Sequence, residues 1–306
     1  MNNSSSRQAF VENIALVYDQ FHLDGIDIDW EYPAQRGDPR NYVGANDTAN
    51  FLEFLRLLRD TLPRTARISA AVQTTPFADA TGQPMKDVQP FANVLDWLLI
   101  MNYDVWGGVS CIILFFSNYP INAVAASSNP GPNAPLSDAC RNSTQPTANA
   151  EAAIKAWTAA GVPPSKLVLG APSYGYISTS PATRLRQRDQ NASTPNVHAL
   201  TEEGANQGQV QFRELVRQGV LSRDPTSLGG YAGSGGFTRE WDACSSTPFL
   251  RSEATGQIIT YDDAQSLELK SAYAKQSGLL GINIFDIHGD TNGWELLASI
   301  QRGLGL

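Results

Sequence analysis

The feature that most constrains the fold is a ten-residue segment, residues 24–33, in which acidic and apolar side chains alternate. Its acids recur at a spacing of two, as Asp27, Asp29 and Glu31, and isoleucine or tryptophan fills the positions between and before them. In a β-strand this spacing puts all three carboxylates on one face and the apolar side chains on the other. The segment therefore predicts a strand with one face for packing and one face for chemistry.

Carboxylates at this density favour acid/base chemistry. Neighbouring negative charges oppose each other's ionisation, so at least one pKa must rise and a proton becomes available near neutral pH. Glu31 is the predicted donor because it is nearest the carboxyl end of the strand, where a parallel barrel opens its active site. Two other interpretations remain open on the spacing alone. The acids can form the solvated face of an antiparallel strand, or they can hold a hard divalent cation.

The complete string at residues 24–33, DGIDIDWEYP, resembles the signature of family 18 glycoside hydrolases, the chitinases. Residues 101–104, MNYD, look like the Met-x-Tyr-Asp strand end of that family. Residues 166–176, KLVLGAPSYGY, are similar to the strand before its long seventh loop, and residues 260–270 and 281–290 resemble its last helix and strand. The resemblance runs from about Ser5 to the C-terminus, with the motifs in the family's order.

The resemblance implies a retaining, substrate-assisted hydrolysis of β-1,4-linked N-acetylglucosamine polymers, with no cofactor and no metal. It implies that Glu31 is the general acid and base, that Asp29 orients the acetamido group of the sugar, and that Asp27 tunes Asp29. Tyr103 matches the family position that hydrogen-bonds the acetamido group. These four are the predicted catalytic residues.

Further residues are predicted to bind the substrate at the same mouth: Tyr32, Gln73, Met101, Asp104, Trp106 and Phe285. Asp104 matches the position that lines the subsite of the cleaved sugar, and Gln73 ends a predicted strand. Trp106 either faces the sugar or fills a local core. Phe285 stands where the family usually has the tryptophan beneath the distorted sugar, so its smaller stacking area affects turnover rate and preferred substrate length.

Helical periods alternate with short β-branched runs, which predicts right-handed parallel βαβ units and an α/β fold. Five strands are predicted, whereas a closed (β/α)8 TIM barrel needs eight. In the family the acidic motif lies on the fourth strand. We therefore expect an incomplete barrel with about strands 4 to 8, in a single partial catalytic domain over residues 1–306 that is truncated at its N-terminus.

Two segments are predicted to depart from this pattern. Residues 109–126 form an anomalous insertion with the apolar run CIILFF at 111–116. The insertion can be a buried lid, a partner-binding patch or, as we favour, the translation of an unspliced intron. Residues 177–240 are expected to be a long loop excursion, a shortened or irregular version of the family's α+β insertion with one helix near residues 211–220.

The composition limits the partners. A formal net charge of −8, a sequence pI near 4.9 and the lack of a basic cluster exclude nucleic acid. No apolar run reaches the roughly 18 residues of a membrane span. We expect a secreted monomer that acts on chitin or chito-oligosaccharides, its signal peptide lost with the N-terminus. Of three cysteines, Cys140 and Cys244 are predicted to form one extracellular disulfide, the alternative being two unpaired buried thiols.

Two other functions remain as alternatives. An endo-β-N-acetylglucosaminidase that acts on N-glycans shares the acidic motif and the mechanism, although the Trp30-Glu31-Tyr32-Pro33 continuation favours a chitinase. The chain can also be an inactive remnant that binds chitin without cleaving it, because strands are expected to be missing.

Overall fold

The computed structural model describes residues 3–37, 41–106, 130–180, 185 and 208–306. The chain divides into two compact units. The first unit holds residues 1–101, 153–168 and 278–280, and the second holds residues 102–152, 169–277 and 281–306. The predicted insertion at 109–126 lies outside the described residues.

The first unit is built from alternating helices and strands: α1 (Ser4–Phe21), β1 (Gly25–Asp29), α2 (Asp47–Thr61), β2 (Arg67–Val72), α3 (Gln89–Ala92) and β3 (Trp97–Ile100). Strand β2 lies between β1 and β3, and both pairings are parallel. The predicted parallel βαβ organisation is therefore confirmed here. Helix α4 (Ala150–Ala159) and strand β4 (Leu167–Pro172) both have residues in each of the two units.

Helix α2 supplies the core beneath the acidic strand. Its apolar residues at helical spacing, Phe51, Phe54, Leu55 and Leu58, are all buried. The ring of Trp30 meets Phe51 edge-on, with centroids 5.5 Å apart. This contact anchors the chain directly after β1 on its packing side, as the alternation predicted.

Helix α1 has apolar residues at helical spacing but does not bury them as a stripe. Phe10 stacks on Phe54 with centroids 5.5 Å apart, but Phe10, Val17 and Phe21 keep 49%, 45% and 63% of their surface exposed. Val11 is the one residue of α1 that is buried. A helical period therefore indicates a helix here, but burial also needs a facing surface.

The second unit continues with a run of short strands and helices: β5 (Tyr174–Thr179), β6 (Gln209–Gln211), α5 (Phe212–Arg217), β7 (Leu221–Arg223), β8 (Tyr231–Gly233), β9 (Thr238–Asp242), β10 (Thr247–Ser252), β11 (Gln257–Thr260), α6 (Ala264–Gln276), β12 (Gly281–Phe285) and α7 (Glu295–Leu304). Five of the strands form an antiparallel sheet in the order β6-β5-β11-β10-β9. Strands β7 and β8 pair as a separate antiparallel ribbon.

This sheet corrects the prediction of an irregular excursion at residues 177–240. The described part of that range contains the end of β5, all of β6 to β8, α5 and the start of β9. The predicted helix at 211–220 is present but shorter, as α5 (Phe212–Arg217). Several strands here have only three residues, and such strands depend on cross-strand pairing with distant residues more than on their own propensity. The sequence signal was weak for that reason.

Candidate active site

The acidic residues of β1 belong to the first unit. Asp27 accepts a hydrogen bond from the Ser69 hydroxyl of β2, at 2.5 Å. Its register partner across the parallel ladder is Ser69 itself. Asp27 and Asp29 are both exposed residues, although nearby protein atoms partly shield the Asp29 carboxylate from water. Burial and the charge of Asp27 raise the pKa of Asp29 above its ordinary value. The expectation that one pKa of the acidic set must rise is met at Asp29.

Glu31 does not lie on the strand as predicted. Strand β1 ends at Asp29, and Glu31 is an exposed residue two positions further on, in the following loop. The chain returns to it, since the Asn41 side chain donates to the Glu31 carbonyl at 3.4 Å. Gly37 also approaches that carbonyl so closely that a Cβ there would lie 1.9 Å from the oxygen. Tertiary contacts of the loop, not the alternation of the strand, place Glu31.

Other predicted binding residues of the first unit follow strand ends. Gln73 comes directly after β2, and its side-chain amide donates to the side chain of Gln35. The Gln73 carbonyl accepts from the Trp157 indole at 3.0 Å. Met101 follows β3 and is half-buried, as is Tyr32 after Glu31.

In the second unit, Tyr103 and Phe285 are brought together as a stacked pair. Their ring centroids are 5.7 Å apart and their planes differ by 19°. Phe285 ends β12 and keeps 51% of its surface exposed. The edge of Tyr174 contacts both rings, with centroids 6.2 Å from Tyr103 and 6.4 Å from Phe285. The three aromatic rings, with the predicted binding residue Phe285 among them, thus restrict one another's orientation.

Asp104 follows this cluster and has a left-handed backbone, with φ 58°. Its backbone N–H donates to the Asn133 side chain at 2.9 Å, and Asn133 in turn donates to the Tyr174 carbonyl at 2.9 Å. The hydroxyls of Tyr174 and Tyr176 both donate to the same Asp104 oxygen, Oδ1, at 2.7 and 2.6 Å. Asp104 itself is exposed. A buried polar frame therefore holds an accessible carboxylate.

Of the two alternatives for Trp106, the structure favours the local core over a sugar-facing ring. Trp106 is buried, with 5% of its surface exposed, in a small cluster with Val105 and Ala148. A Cβ on Gly131 would lie 2.3 Å from its ring, so the chain crosses the indole closely. A ring with so little exposed surface offers a sugar almost no flat face. We therefore interpret Trp106 as a packing residue.

The predicted disulfide is present in the second unit. Cys140 and Cys244 are joined, with their Cα atoms 5.2 Å apart and a sequence separation of 104. The Ala139 N–H donates to the Cys244 carbonyl at 3.0 Å, so backbone pairing supports the same connection. The separation of the Cα atoms lies within the usual range for a disulfide.

Sequence reasoning missed Ser69, Asn133, Tyr174 and Tyr176. Tyr174 and Tyr176 carried a usable signal, because they recur at a spacing of two and so share one face of β5. Gly175 between them allows β11 to approach, since a Cβ there would lie 2.0 Å from the Thr260 carbonyl. Asn133 gave no such signal.

Two further observations concern partners. Among the helices that the structure describes, none combines the length and apolar character required to cross a bilayer. Within the same described residues, no group of three or more His, Cys, Asp or Glu side chains is arranged to hold a metal ion.

Comparison with known proteins places the chain. Residues 1–290 match the family described as glycosyl hydrolases family 18. A chitinase-like effector of Moniliophthora roreri is 32% identical, over 100% of this chain and 73% of that protein. Chitinase A1 of Niallia circulans is 28% identical, over 94% of this chain and 38% of that protein.

A crystal structure of the chitinase RmChi1 from Rhizomucor miehei superposes with a TM-score of 0.81 at 29% identity, covering 98% of this chain and 79% of that one. The acidic strand, the parallel βαβ units and the family match agree with one another. The chain belongs to glycoside hydrolase family 18 and has its chitinase-like α/β fold.

Proposed function

We propose that this protein hydrolyses chitin and chito-oligosaccharides by a retaining mechanism in which the acetamido group of the substrate takes part. The observation that carries the proposal is the acidic cluster at β1: burial and the charge of Asp27 raise the pKa of Asp29, two residues before an exposed Glu31. A raised pKa within a cluster of carboxyl groups is typical of catalytic sites.

Glu31 is the proton donor in the proposed first step. Its carboxyl proton passes to the glycosidic oxygen as the bond from that oxygen to C1 breaks, while the acetamido carbonyl oxygen of the same sugar attacks C1. The products are the leaving sugar and a bound oxazolinium ion. Glu31, now a carboxylate, takes a proton from water, whose oxygen attacks C1 and restores the acetamido group with retained configuration.

Asp29 and Asp27 support the acetamido group in this scheme. Asp29 orients the acetamido N–H and stabilises the positive charge that develops in the oxazolinium ion. Asp27 tunes Asp29 through the charge that raises its pKa, and the Ser69 hydroxyl holds Asp27 in place. The proposed role of Asp29 therefore depends on its raised pKa, which burial and the charge of Asp27 produce.

The second unit has a surface suited to sugars. The stacked rings of Tyr103 and Phe285 present an aromatic face, and Asp104 presents a carboxylate beside them. Flat apolar faces combined with acceptor oxygens match the two kinds of surface of a pyranose ring. Secretion is proposed with this function, because the Cys140–Cys244 disulfide is typical of oxidising compartments.

A second candidate function is binding of chito-oligosaccharides without turnover. A specific observation favours it: a relative with 32% identity is a chitinase-like effector. This chain has a glutamate at position 31, which supports hydrolysis. The two candidate functions share the ligand and differ in whether Glu31 transfers a proton to it.

The deciding experiment compares wild type with Glu31→Gln on soluble N-acetylglucosamine oligomers. Turnover is measured by product chromatography, and binding is measured separately by calorimetry. We expect Glu31→Gln to lose at least about 100-fold in kcat, as removal of a general acid does, and to keep its affinity. Glu12→Gln on exposed α1, which likewise replaces one carboxylate by an amide, is the matched control and should behave as wild type.

The outcomes separate the candidates. Equal turnover by wild type and Glu31→Gln would show that another group is the acid. A wild type that binds the oligomers but releases no product would support the binding function instead. A wild type that neither binds nor cleaves them would remove chitin as the ligand.

A further inference from the structure

Two tyrosines of β5 converge on one oxygen of Asp104. Tyr174 and Tyr176 are separated by two positions on β5, so their side chains leave the same face of the strand. Their hydroxyls reach Asp104 Oδ1 at 2.7 and 2.6 Å. Both tyrosines are buried, with 2% and 9% of their surface exposed, whereas Asp104 is exposed. The donors are therefore part of the protein interior and the acceptor reaches its surface.

The strand geometry keeps the two hydroxyls in place. Strand β5 is paired on both sides, with Tyr176 opposite Thr260 on β11 and Gln209 on β6. The rings of Tyr174 and Tyr176 meet edge to face, 5.9 Å apart. Neither ring can turn freely, because each packs against the other and against a strand held by two neighbours.

Tyr174 also keeps its proton. Burial, followed by the charge of Asp104, raises the pKa of Tyr174 far above its ordinary value. The Tyr174 hydroxyl therefore remains a donor throughout the neutral range. Two hydroxyl donors on Oδ1 restrict the rotation of this exposed carboxylate, whose second oxygen is Oδ2.

We propose that Tyr176 is a positioning residue that acts together with Tyr174 through Asp104: the two hydroxyls hold Oδ1 so that Oδ2 faces a sugar hydroxyl or amide. This inference rests on the proposed chito-oligosaccharide ligand. It assigns Tyr176 an indirect role, because its hydroxyl is directed at Asp104 and not at the sugar. The carboxylate is ordered before the ligand arrives, which lowers the entropy cost of binding.

The test is a double-mutant cycle between Tyr176 and Asp104 for binding of an N-acetylglucosamine tetramer, made in the Glu31→Gln background so that no turnover occurs. Tyr176→Phe removes one hydroxyl and should raise Kd about tenfold, as loss of a hydrogen bond to a charged group does. Asp104→Gly is the second variant, since glycine accepts the left-handed backbone of this position. On the Asp104→Gly background, Tyr176→Phe should change Kd less than twofold.

Tyr231→Phe is the matched control. It removes another buried tyrosine hydroxyl that donates to a carboxylate, that of Glu295, in the same unit. We expect it to leave Kd unchanged. In the enzyme that retains Glu31, Tyr176→Phe should raise KM more than it lowers kcat, whereas general loosening of the fold would also lower the melting temperature and affect both.

Two binding results would overturn the inference. One is an equal loss of affinity from Tyr176→Phe with and without the Asp104 side chain, which would mean direct contact or a purely structural role. The other is no loss at all from Tyr176→Phe.

A crystal structure of Tyr176→Phe supplies a readout that does not depend on the ligand. The Asp104 carboxylate should adopt more than one orientation there, and a single unchanged orientation would overturn the inference. If the Glu31→Gln protein binds no tetramer, the proposed function fails, and the orientation of Asp104 alone decides whether the tyrosines position it.

Discussion

Tyr103 and Phe285 stack on each other at 5.7 Å although 182 positions of sequence separate them, 285 minus 103. Their planes differ by only 19°, and the edge of Tyr174 closes the cluster from the side. Phe285 nevertheless keeps 51% of its surface exposed. The pair is thus an aromatic surface that is already oriented without a ligand, which is the arrangement that favours stacking with a sugar.

A smaller and a larger side chain at position 285 should change the affinity for oligosaccharides in opposite directions. Phe285→Ala removes the exposed ring and should cost about 1 kcal/mol, or about fivefold in Kd, whereas Phe285→Trp enlarges the stacking face and should tighten binding. Calorimetry with an N-acetylglucosamine oligomer measures both. Leu228→Ala, at an apolar residue of the same unit that is 81% exposed, is the control. An unchanged Kd for Phe285→Ala would remove this residue from the sugar surface.

The raised pKa of Asp29 predicts a pH-dependent difference in stability. Because the pKa is higher in the folded state than in the unfolded state, the contribution of Asp29 to stability is full below its ordinary value of 3.8. That contribution is lost as the pH rises through the folded pKa. Asp29→Asn does not titrate, so its stability relative to wild type should increase as the pH rises from 3 to 7.

Denaturant unfolding of wild type and Asp29→Asn at a series of pH values measures this difference. Asp27→Asn on the wild-type background is the matched variant. It removes the charge that contributes to the raised pKa of Asp29, and Asn keeps an oxygen that can accept from Ser69. The loss of stability with rising pH should therefore be smaller in Asp27→Asn than in wild type, and it should end at a lower pH. A difference between wild type and Asp29→Asn that is constant with pH would contradict the assignment.

Lys270 and Asp262 form an ion pair in which both side chains are completely buried. Lys270→Met leaves the Asp262 carboxylate without its cation in the interior, and we expect a loss of about 3 to 5 kcal/mol in the free energy of unfolding. The double variant Lys270→Met/Asp262→Leu removes both charges and should recover most of that loss. Denaturant unfolding checks this, and equal destabilisation of the single and double variants would show that volume rather than charge decides.

Much of the first unit could be predicted from the chain. The buried residues of α2 follow a helical period, and the strand at β1 follows a period of two, so each is visible within a window of ten to eighteen residues. The charge of Asp27, the smaller cause of the raised pKa at Asp29, also follows from local spacing, whereas burial, the larger cause, does not. Glu31 shows the limit, because the strand ends at Asp29 and the loop decides where the next acid lies.

The second unit was harder to predict for a physical reason. Its antiparallel sheet joins short strands from distant parts of the chain, such as β5 with β11, and no local period encodes that pairing. Trp106 illustrates the same difficulty at a single residue. Its position after Asp104 suggested a sugar-facing ring, but its contacts with Val105 and Ala148 bury it.

By itself, the sequence determined the acidic strand, the alternation of helices and parallel strands and the family motifs, because all of these are written in neighbouring residues. Only the tertiary structure decided that Tyr174 and Tyr176 donate to Asp104, since the sequence separations between donor and acceptor are 70 and 72. Hydrogen bonds of this kind depend on where the backbone brings two segments together. The spacing of residues fixes which groups share a face, and packing fixes which faces meet.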